Sequence, residues 1–226
     1  TAEMDYEMTQ IREQYGMTPV EFLEHIGVLG PNTLTAHTIH ATERDVEILA
    51  KHGASVAHCI ASNTKAGKGV APVSLMHKHG ISVGFGTDGP ASGNTLDLFI
   101  QMRMCENFQK TTLHDRSALP AKEVVSMATI EGARALGFGD VTGSIEPGKE
   151  ADLVLIETDS PNMFPVYEPY SAIVYSASAA NVRDVFVAGE CLVKEKQLVR
   201  ADFAKIRDEL REKMERTKFG EMGNMV

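Results

Sequence analysis

Cysteine is scarce in this chain of 226 residues. The three cysteines, Cys59, Cys105 and Cys191, are widely spaced, and no two of them form a Cys-x-x-Cys pair. An odd, scattered set of thiols does not provide the disulfide framework that is typical of small secreted proteins. We therefore expect a protein that works in a reducing compartment, the cytoplasm.

Long apolar runs and an excess of positive charge are absent as well. No stretch approaches the length that spans a bilayer, and no basic segment followed by an apolar one indicates secretion. The 31 acidic residues outnumber the 22 Lys and Arg residues, and the formal net charge is −9. This balance argues against a nucleic acid or an anionic membrane as a partner. The chain begins at Thr1 without a methionine, so removal of the initiator and a missing upstream region both stay open.

The stretch around which the chain is organised runs from residue 81 to residue 90. Apolar and β-branched residues at 81–85 predict a buried strand, which Gly89 and Pro90 end. Asp88 therefore follows the carboxyl end of this strand. A carboxylate there binds a metal, takes a proton from water or caps the next helix, and this stretch alone does not separate the three roles.

Two earlier strands each end in a histidine. Residues 34–37 end in His37 and residues 54–58 end in His58, and a predicted helix follows each strand. This alternation predicts βαβ units and a parallel sheet. Because the carboxyl ends of parallel strands lie at one edge of the sheet, we expect His37, His58 and Asp88 to open into one cavity.

After residue 143 the pattern changes from alternating strands and helices to mostly strands. Residues 151–156, 173–175 and 182–193 are predicted as strands, and residues 201–218 as an amphipathic helix that packs on its own domain. The predicted boundaries are 1–142 for the α/β part, 143–200 for the β part and 201–226 for the C-terminal helix and tail.

Three segments resemble the amidohydrolase superfamily: Thr-Ala-His at 35–37, Ala-His-Cys-Ile-Ala-Ser-Asn-Thr-Lys at 57–65, and Gly-Thr-Asp-Gly-Pro-Ala-Ser at 86–92. The nearest branch contains aminohydrolases and chlorohydrolases, among them 5-methylthioadenosine/S-adenosylhomocysteine deaminases, guanine and cytosine deaminases, and triazine hydrolases. Residues 143–153 are similar to the segment with which these enzymes re-enter their β-sandwich domain. The resemblance covers almost the whole chain in the right order.

This resemblance implies an α/β fold, the C-terminal part of a distorted (β/α)8 TIM-type barrel plus part of a small β-sandwich. Members of the branch use one Zn²⁺ or Fe²⁺ ion. Its ligands are a His-x-His pair after the first strand, a histidine after the fifth and an aspartate after the eighth. A glutamate three residues beyond the fifth-strand histidine shuttles protons. Asp88 matches the aspartate and Glu3 matches the glutamate.

Two parts of the family pattern are missing. The nearest approach to His-x-His, His77-Lys78-His79, lies on a predicted helix, and Thr1-Ala2-Glu3 looks like the residues directly after the fifth-strand histidine. The chain thus resembles the C-terminal half of an enzyme. We expect residues 1–226 alone to be inactive as a hydrolase and to bind zinc weakly, because zinc sites use three or four protein ligands.

The resemblance also implies a role for each candidate residue. Asp88 would be a metal ligand and a catalytic base, and Glu3 would deliver protons to a ring nitrogen and to the leaving amine. His37 would polarise the attacking hydroxide or the developing oxyanion. Glu3, His37 and His58 are the candidate substrate-binding residues, with His58, Ser62 and Asn63 lining the mouth as supporting groups.

The implied function is hydrolytic deamination of an aminated heterocycle, adenosine-type, guanine-like or cytosine-like, by a metal-activated hydroxide. One alternative is release of chloride or an alkylamine from a triazine, since the same attack on an electron-poor ring carbon serves both. Another is a catalytically incomplete fragment that lacks the N-terminal metal ligands. We expect a small heterocyclic substrate, and either a homo-oligomer or an assembly with the missing N-terminal half.

Overall fold

The computed structural model describes residues 1–216. The chain divides into two compact units. The first comprises Thr1–Glu150 and Glu157–Asn181, and the second comprises Ala151–Ile156 and the described residues 182–216. This division differs from the predicted boundaries because residues 143–150 and 157–181 group with the first unit, and residues 201–216 group with the second. The predicted tail beyond residue 216 lies outside the described residues.

A three-stranded parallel sheet forms the centre of the first unit. Its strands are β1 (Leu34–Ala36), β2 (Ser55–His58) and β3 (Val83–Phe85), in the order β1-β2-β3. Thr35 pairs with Val56, and Val56 pairs with Val83. The predicted strands, their parallel alignment and the α/β class are therefore confirmed, and all three carboxyl ends lie at one edge of the sheet.

Helices precede, connect and follow these strands. They are α1 (Asp5–Tyr15), α2 (Pro19–His25), α3 (Glu43–His52), α4 (Ile60–Lys65), α5 (Val73–Lys78), α6 (Pro90–Gly93), α7 (Leu98–Leu113), α8 (Ala121–Met127) and α9 (Ile130–Ala135). Local sequence explains several of their ends. Thr18 and Thr42 begin α2 and α3 with capping boxes, and Gly53 ends α3 in the left-handed conformation.

The core of the first unit lies between the sheet and its helices. Val56 and Val83 belong to one buried cluster with Leu49 of α3, Met76 of α5 and Met127 of α8. Burial of each such side chain contributes about 1.5–3 kcal/mol to folding. This packing holds the strand ends, and hence the residues that follow them, in fixed positions.

Helix α9 approaches β3 so closely that glycine is needed at position 84, and Gly132 is itself packed closely against the end of α8. A Cβ atom at Gly84 would lie 2.9 Å from the Cα atom of Gly132, and one at Gly132 would lie 2.9 Å from the carbonyl oxygen of Met127. The contact supports β3 from one face a few residues before Asp88.

Residues 173–175 do not form the predicted strand. Instead, α10 (Pro169–Ser171) leads into a π-helical turn at Ala172–Ser176. Glu168 caps this segment by accepting a hydrogen bond from the Ser171 N–H, and Pro169 occupies the first helical position. Arg103 of α7 then donates hydrogen bonds to the carbonyl oxygens of Val174 and Ala177. These local and tertiary contacts override the strand preference of the side chains. A short 3-10 turn, Ala179–Asn181, closes the unit.

The second unit contains a four-stranded antiparallel sheet in the order β4-β5-β6-β7. The strands are β4 (Leu153–Ile156), β5 (Val182–Val187), β6 (Glu190–Lys194) and β7 (Gln197–Leu198), and α11 (Phe203–Arg216) follows them. The predicted strands at 151–156 and 182–193 are confirmed. The sequence predicts that the amphipathic helix packs on its own domain through its apolar stripe. In the structure, the side chains of that stripe on α11 are exposed: Phe203, Ile206, Leu210 and Met214. Residues 217 and 218 of the predicted helix lie outside the described residues. Among residues 1–216, no helix combines the length and the apolar character needed to cross a bilayer.

Candidate active site

Backbone hydrogen bonds place the first three residues beside the end of β1. The Thr38 N–H donates to the Thr1 carbonyl oxygen at 3.0 Å, and the His40 N–H donates to that of Ala2 at 3.0 Å. The carboxylate of Glu7 accepts from the Glu3 N–H and closes the start of α1. Glu3 is therefore held at the carboxyl edge of the sheet and is not a freely solvated terminal residue.

The carboxylate of Glu3 has a different neighbour for each of its oxygens. Oε1 forms an ion pair with the Nζ of Lys68, and Oε2 lies 3.7 Å from the Nε2 of His37. The hydrogen bond from Lys68 is the largest influence on this carboxyl and lowers its pKa, and the charges of His37 and Lys68 act in the same direction. Glu3 is thus kept ionised and faces His37.

His37 directs its ring toward Glu3 through an unusual backbone conformation. Its φ is 66° and that of Thr38 is 51°, which places both residues in the left-handed region that non-glycine residues rarely adopt. Nδ1 of His37 lies 2.8 Å from the side-chain oxygen of Asn63. Because that oxygen accepts, Nδ1 carries the proton, and Nε2 remains available to a water molecule or a substrate. Backbone strain of this kind is concentrated at functional sites.

Asp88 has the same backbone conformation, with a φ of 58°. Its Oδ2 accepts a hydrogen bond from the hydroxyl of Ser62 at 2.7 Å, and its Oδ1 accepts one from the Gly89 N–H at 2.6 Å. The hydrogen bond from Ser62 has the largest effect on this carboxyl group, and both hydrogen bonds lower its pKa. Asp88 is therefore an oriented carboxylate at the carboxyl end of β3, as the sequence predicts.

Helix α4 joins the two parts of the site. Ser62 and Asn63 are adjacent on this helix, and both are buried. One holds Asp88 and the other holds His37. The helix is itself tied to α7, since the buried side chain of Gln101 accepts a hydrogen bond from the Ala61 N–H at 3.0 Å. The supporting role predicted for Ser62 and Asn63 thus takes a specific form: each orients one candidate catalytic group.

The position of His58 differs from the prediction. It lies at the end of β2, but its ring is fully buried and is packed 6.4 Å from the ring of Phe85, centroid to centroid. Neither ring nitrogen has a hydrogen-bond partner within residues 1–216. Burial, and to a smaller extent the charge of His37, lower the pKa of His58 to about 4. The expectation that its ring shares an open cavity with His37 and Asp88 is therefore wrong for this chain, and the ring is not placed to contact a substrate.

Lys68 is the site residue that sequence reasoning missed. It follows α4 in a segment whose glycines carry no nucleotide-binding pattern, and it lies 65 residues from its partner Glu3. No local pattern signals this contact, because it depends on how the first residues pack against the segment after α4.

The donor set does not complete a metal site by itself. Within residues 1–216, no three His, Cys, Asp or Glu side chains are grouped so that they could hold a metal ion. Asp88 is a suitable single ligand, but Glu3 is engaged by Lys68 and His58 is buried away from the other groups. The residues present can orient a substrate and move protons at Glu3 and His37, and they do not fit a metal ion without further ligands.

Comparison with known proteins identifies the family. The model of the amidohydrolase family matches residues 1–192. A curated relative, 5-methylthioadenosine/S-adenosylhomocysteine deaminase of Desulfitobacterium hafniense, is 43% identical over 205 residues, which cover 91% of this chain and 47% of the relative. The chain therefore spans about half the length of the curated relatives it matches.

Solved structures agree with the sequence match. An adenosine deaminase from Xanthomonas campestris with bound zinc has a TM-score of 0.93 and 34% identity, over 96% of this chain and 49% of that one. An atrazine chlorohydrolase from Arthrobacter aurescens TC1, complexed with zinc, has a TM-score of 0.86 and 28% identity, over 92% of this chain and 46% of that one. With a family model that matches most of its length, this chain belongs to the amidohydrolase family.

Proposed function

We propose that residues 1–226 supply the proton-transfer part of a site for hydrolytic deamination of an aminated heterocycle, with an adenosine-type compound as the first candidate. One observation carries the proposal. Glu3, His37 and Asp88 lie at the same edge of the sheet, and each is oriented by a separate side chain, Lys68, Asn63 or Ser62. The names of the relatives, which are deaminases of adenosine-type compounds, support the choice of substrate class.

In the proposed reaction, Glu3 moves protons. Its ionised carboxylate takes a proton from the attacking water and passes it to a ring nitrogen of the substrate. It then takes the second proton from the new hydroxyl group on the ring carbon and gives it to the leaving amine. His37 orients the oxygen that adds to the ring carbon, because Nδ1 is held by Asn63 and Nε2, which faces Glu3, can accept a hydrogen bond from that oxygen. Both are also proposed as substrate contacts.

We further propose that Asp88 is one ligand of a single divalent ion, zinc or iron, whose other ligands come from outside residues 1–216. Such an ion acts as a Lewis acid that lowers the pKa of water toward neutrality. The zinc in the two solved relatives supports this assignment. Ser62 and the Gly89 N–H would hold the carboxylate of Asp88 in place.

The architecture of the whole protein is part of the proposal. The parallel sheet would be a segment of a distorted (β/α)8 barrel, and the antiparallel sheet of the second unit would be one part of a small β-sandwich. The relatives are about twice as long as this chain, which supports a site completed by an N-terminal half or by a partner in a homo-oligomer. We propose a cytoplasmic enzyme.

The test uses the protein completed by its proposed N-terminal half, here called the full-length protein. It measures ammonia release from an adenosine-type substrate together with metal content. Glu3→Gln should lower kcat by about 10²-fold or more while the metal stays bound, because only the proton carrier is lost. Asp88→Asn should lower both turnover and metal content. Glu24→Gln is the matched control, since this carboxylate pairs with Lys51 on the surface. Full activity in Glu3→Gln would refute the assignment of the proton carrier.

A second candidate reaction is release of chloride or an alkylamine from a triazine. The resemblance to an atrazine chlorohydrolase favours it. Chloride or alkylamine release by the full-length protein, with no ammonia from any aminated heterocycle, would replace the deaminase proposal and keep the hydrolase class. Activity of the full-length protein together with no activity of residues 1–226 alone would support the alternative that these residues are a catalytically incomplete fragment.

A further inference from the structure

Lys68 is a partly buried cation beside the proposed proton carrier. It follows α4, between Gly67 and Gly69, and its own N–H donates to the carbonyl oxygen of Asn63 at 2.9 Å. Its side chain is 19% exposed, and its Nζ is paired with Oε1 of Glu3, which is 27% exposed. The backbone bond to Asn63 connects this lysine to the residue that orients His37.

The two oxygens of Glu3 therefore have divided roles. Lys68 holds Oε1, which leaves Oε2 as the oxygen that faces the Nε2 of His37. A carboxylate on a flexible side chain has several rotamers, and a charge-assisted hydrogen bond to one oxygen selects among them. Among the described residues, the other basic side chain within 4 Å of this carboxylate is that of His37, whose Nε2 lies 3.7 Å from Oε2.

We propose that Lys68 is a positioning residue for the reaction, which fixes the carboxylate of Glu3 so that Oε2 is aimed at the space in front of His37. The proposal rests on the proposed function of Glu3 as the proton carrier. Lys68 stays protonated throughout. The proton that Glu3 takes from water leaves on the ring nitrogen, and the ion pair with Lys68 is restored after each transfer.

The electrostatic surroundings support this role. The hydrogen bond to Glu3 is the largest influence on Lys68 and raises its pKa, and the charges of Glu3, Asp88 and Tyr6 raise it further. Lys68 therefore lies within electrostatic reach of both candidate catalytic carboxylates. An ammonium group that is already paired in this way is not free to recruit a phosphate, which argues against a phosphate-binding loop at residues 65–69.

Kinetics of the full-length protein provide the first test. Lys68→Met should lower kcat about tenfold or more and change KM by less than about threefold, because a misdirected Glu3 impairs proton transfer without removing a substrate contact. Lys68→Arg should recover part of the lost kcat, since it keeps the charge. Lys68→Met combined with Glu3→Gln should be no slower than Glu3→Gln alone.

The matched control is Lys51→Met. Lys51 forms an ion pair of 2.8 Å with Glu24 and lies in the last turn of α3, at the opposite end of the sheet from His37. It should leave kcat unchanged. An unchanged kcat in Lys68→Met, an Arg variant no better than the Met variant, or additive losses in the double variant would each overturn the proposal.

A chemical measurement separates this proposal from the proposed function. A water-soluble carbodiimide should join the carboxylate of Glu3 to the amine of Lys68 as an amide with loss of one water, detected by peptide mass spectrometry. The cross-link should be absent in Lys68→Met. If the cross-link forms but the full-length protein releases no ammonia, the proposed function fails and the assigned pair stands. Absence of the cross-link in the unmodified protein would refute the assigned geometry of Lys68.

Discussion

Asn63 and Ser62 each hold one candidate catalytic group by a single hydrogen bond. Asn63 accepts from Nδ1 of His37, and Ser62 donates to Oδ2 of Asp88. Neither residue carries a charge, and both are buried. At the scale of single residues, the orientation of His37 and Asp88 therefore depends on neutral neighbours. Loss of either neighbour leaves a partly buried donor or acceptor without that partner.

The first prediction concerns Asn63→Ala. His37 loses the acceptor for its partly buried Nδ1 proton, and such a donor left unpaired costs about 1–3 kcal/mol. We expect the free energy of unfolding, measured by urea denaturation, to fall by that amount. Asn32→Ala is the control, because Asn32 is exposed, and its effect should stay within about 0.5 kcal/mol. Equal effects of the two variants would contradict the assigned contact.

The second prediction concerns the pH dependence that His58 produces. Its pKa is about 4 in the folded chain, whereas an unfolded chain has a histidine pKa of about 6.5. As the pH is lowered, the unfolded state therefore takes up the proton at a higher pH than the folded state does. The free energy of unfolding falls as the pH drops from about 6.5 to about 4, by about 3 kcal/mol in total.

The variant His58→Asn cannot take up this proton and should lose most of that acid sensitivity. Urea denaturation at pH 7 and at pH 4.5 measures the difference. His25→Asn is the control, because His25 is exposed. A pH dependence in His58→Asn equal to that of the unmodified protein would show that this ring is not buried in its neutral form.

At the scale of elements, the approach of α9 to β3 leaves no room for a side chain between them. It brings the Cα atom of Gly132 to within 2.9 Å of the position that a Cβ atom on Gly84 would occupy. Here the tertiary contact requires glycine, although glycine inside a strand is unfavourable by itself.

The third prediction is that Gly84→Ala lowers the free energy of unfolding by about 1–3 kcal/mol, because the added methyl group forces α9 away from β3. Gly30→Ala is the matched control. No atom lies within 4 Å of a Cβ atom at Gly30, so that variant should be nearly neutral. Thermal unfolding of both variants measures the difference. A stabilised Gly84→Ala would mean that the two elements are farther apart than the structure places them.

At the scale of the whole molecule, the described part of the chain carries candidate proton-transfer groups but no group of three side chains that could hold a metal ion. Asp88 is the one proposed ligand, and zinc sites use three or four protein ligands. The curated relatives are about twice as long. Under the proposed function, the remaining ligands would come from outside residues 1–216.

The fourth prediction is that residues 1–226 alone retain well under one zinc ion per chain after dialysis, measured by atomic emission. The reason is that one carboxylate binds zinc too weakly to survive exchange. The full-length protein treated in the same way provides the comparison and should keep its metal. Stoichiometric zinc on residues 1–226 alone would show that the ligand set has been misidentified.

Failures of sequence-based prediction in this chain arise where a contact between distant segments outweighs the local pattern. The β-branched and aromatic side chains at 173–175 favour a strand, yet Arg103 and the cap at Glu168 hold the segment in a helical turn. His58 matches the alternation of a strand that ends at the site, but its ring is buried. No local pattern indicates the role of Lys68, because its partner Glu3 lies 65 residues earlier in the chain.

The sequence by itself determined the parallel strands, their common edge, and the placement of His37 and Asp88 there, because alternating hydrophobicity and turn residues act over short distances. Glu3 was indicated only by the resemblance to the family, and backbone contacts of the first residues with His40 and Thr38 hold it at that edge. The family followed from motifs at the same positions. Only the tertiary structure decided which side chains orient these three groups and that His58 is buried. Those outcomes depend on left-handed backbone turns at His37 and Asp88 and on contacts across 26 to 65 residues, which no local pattern encodes.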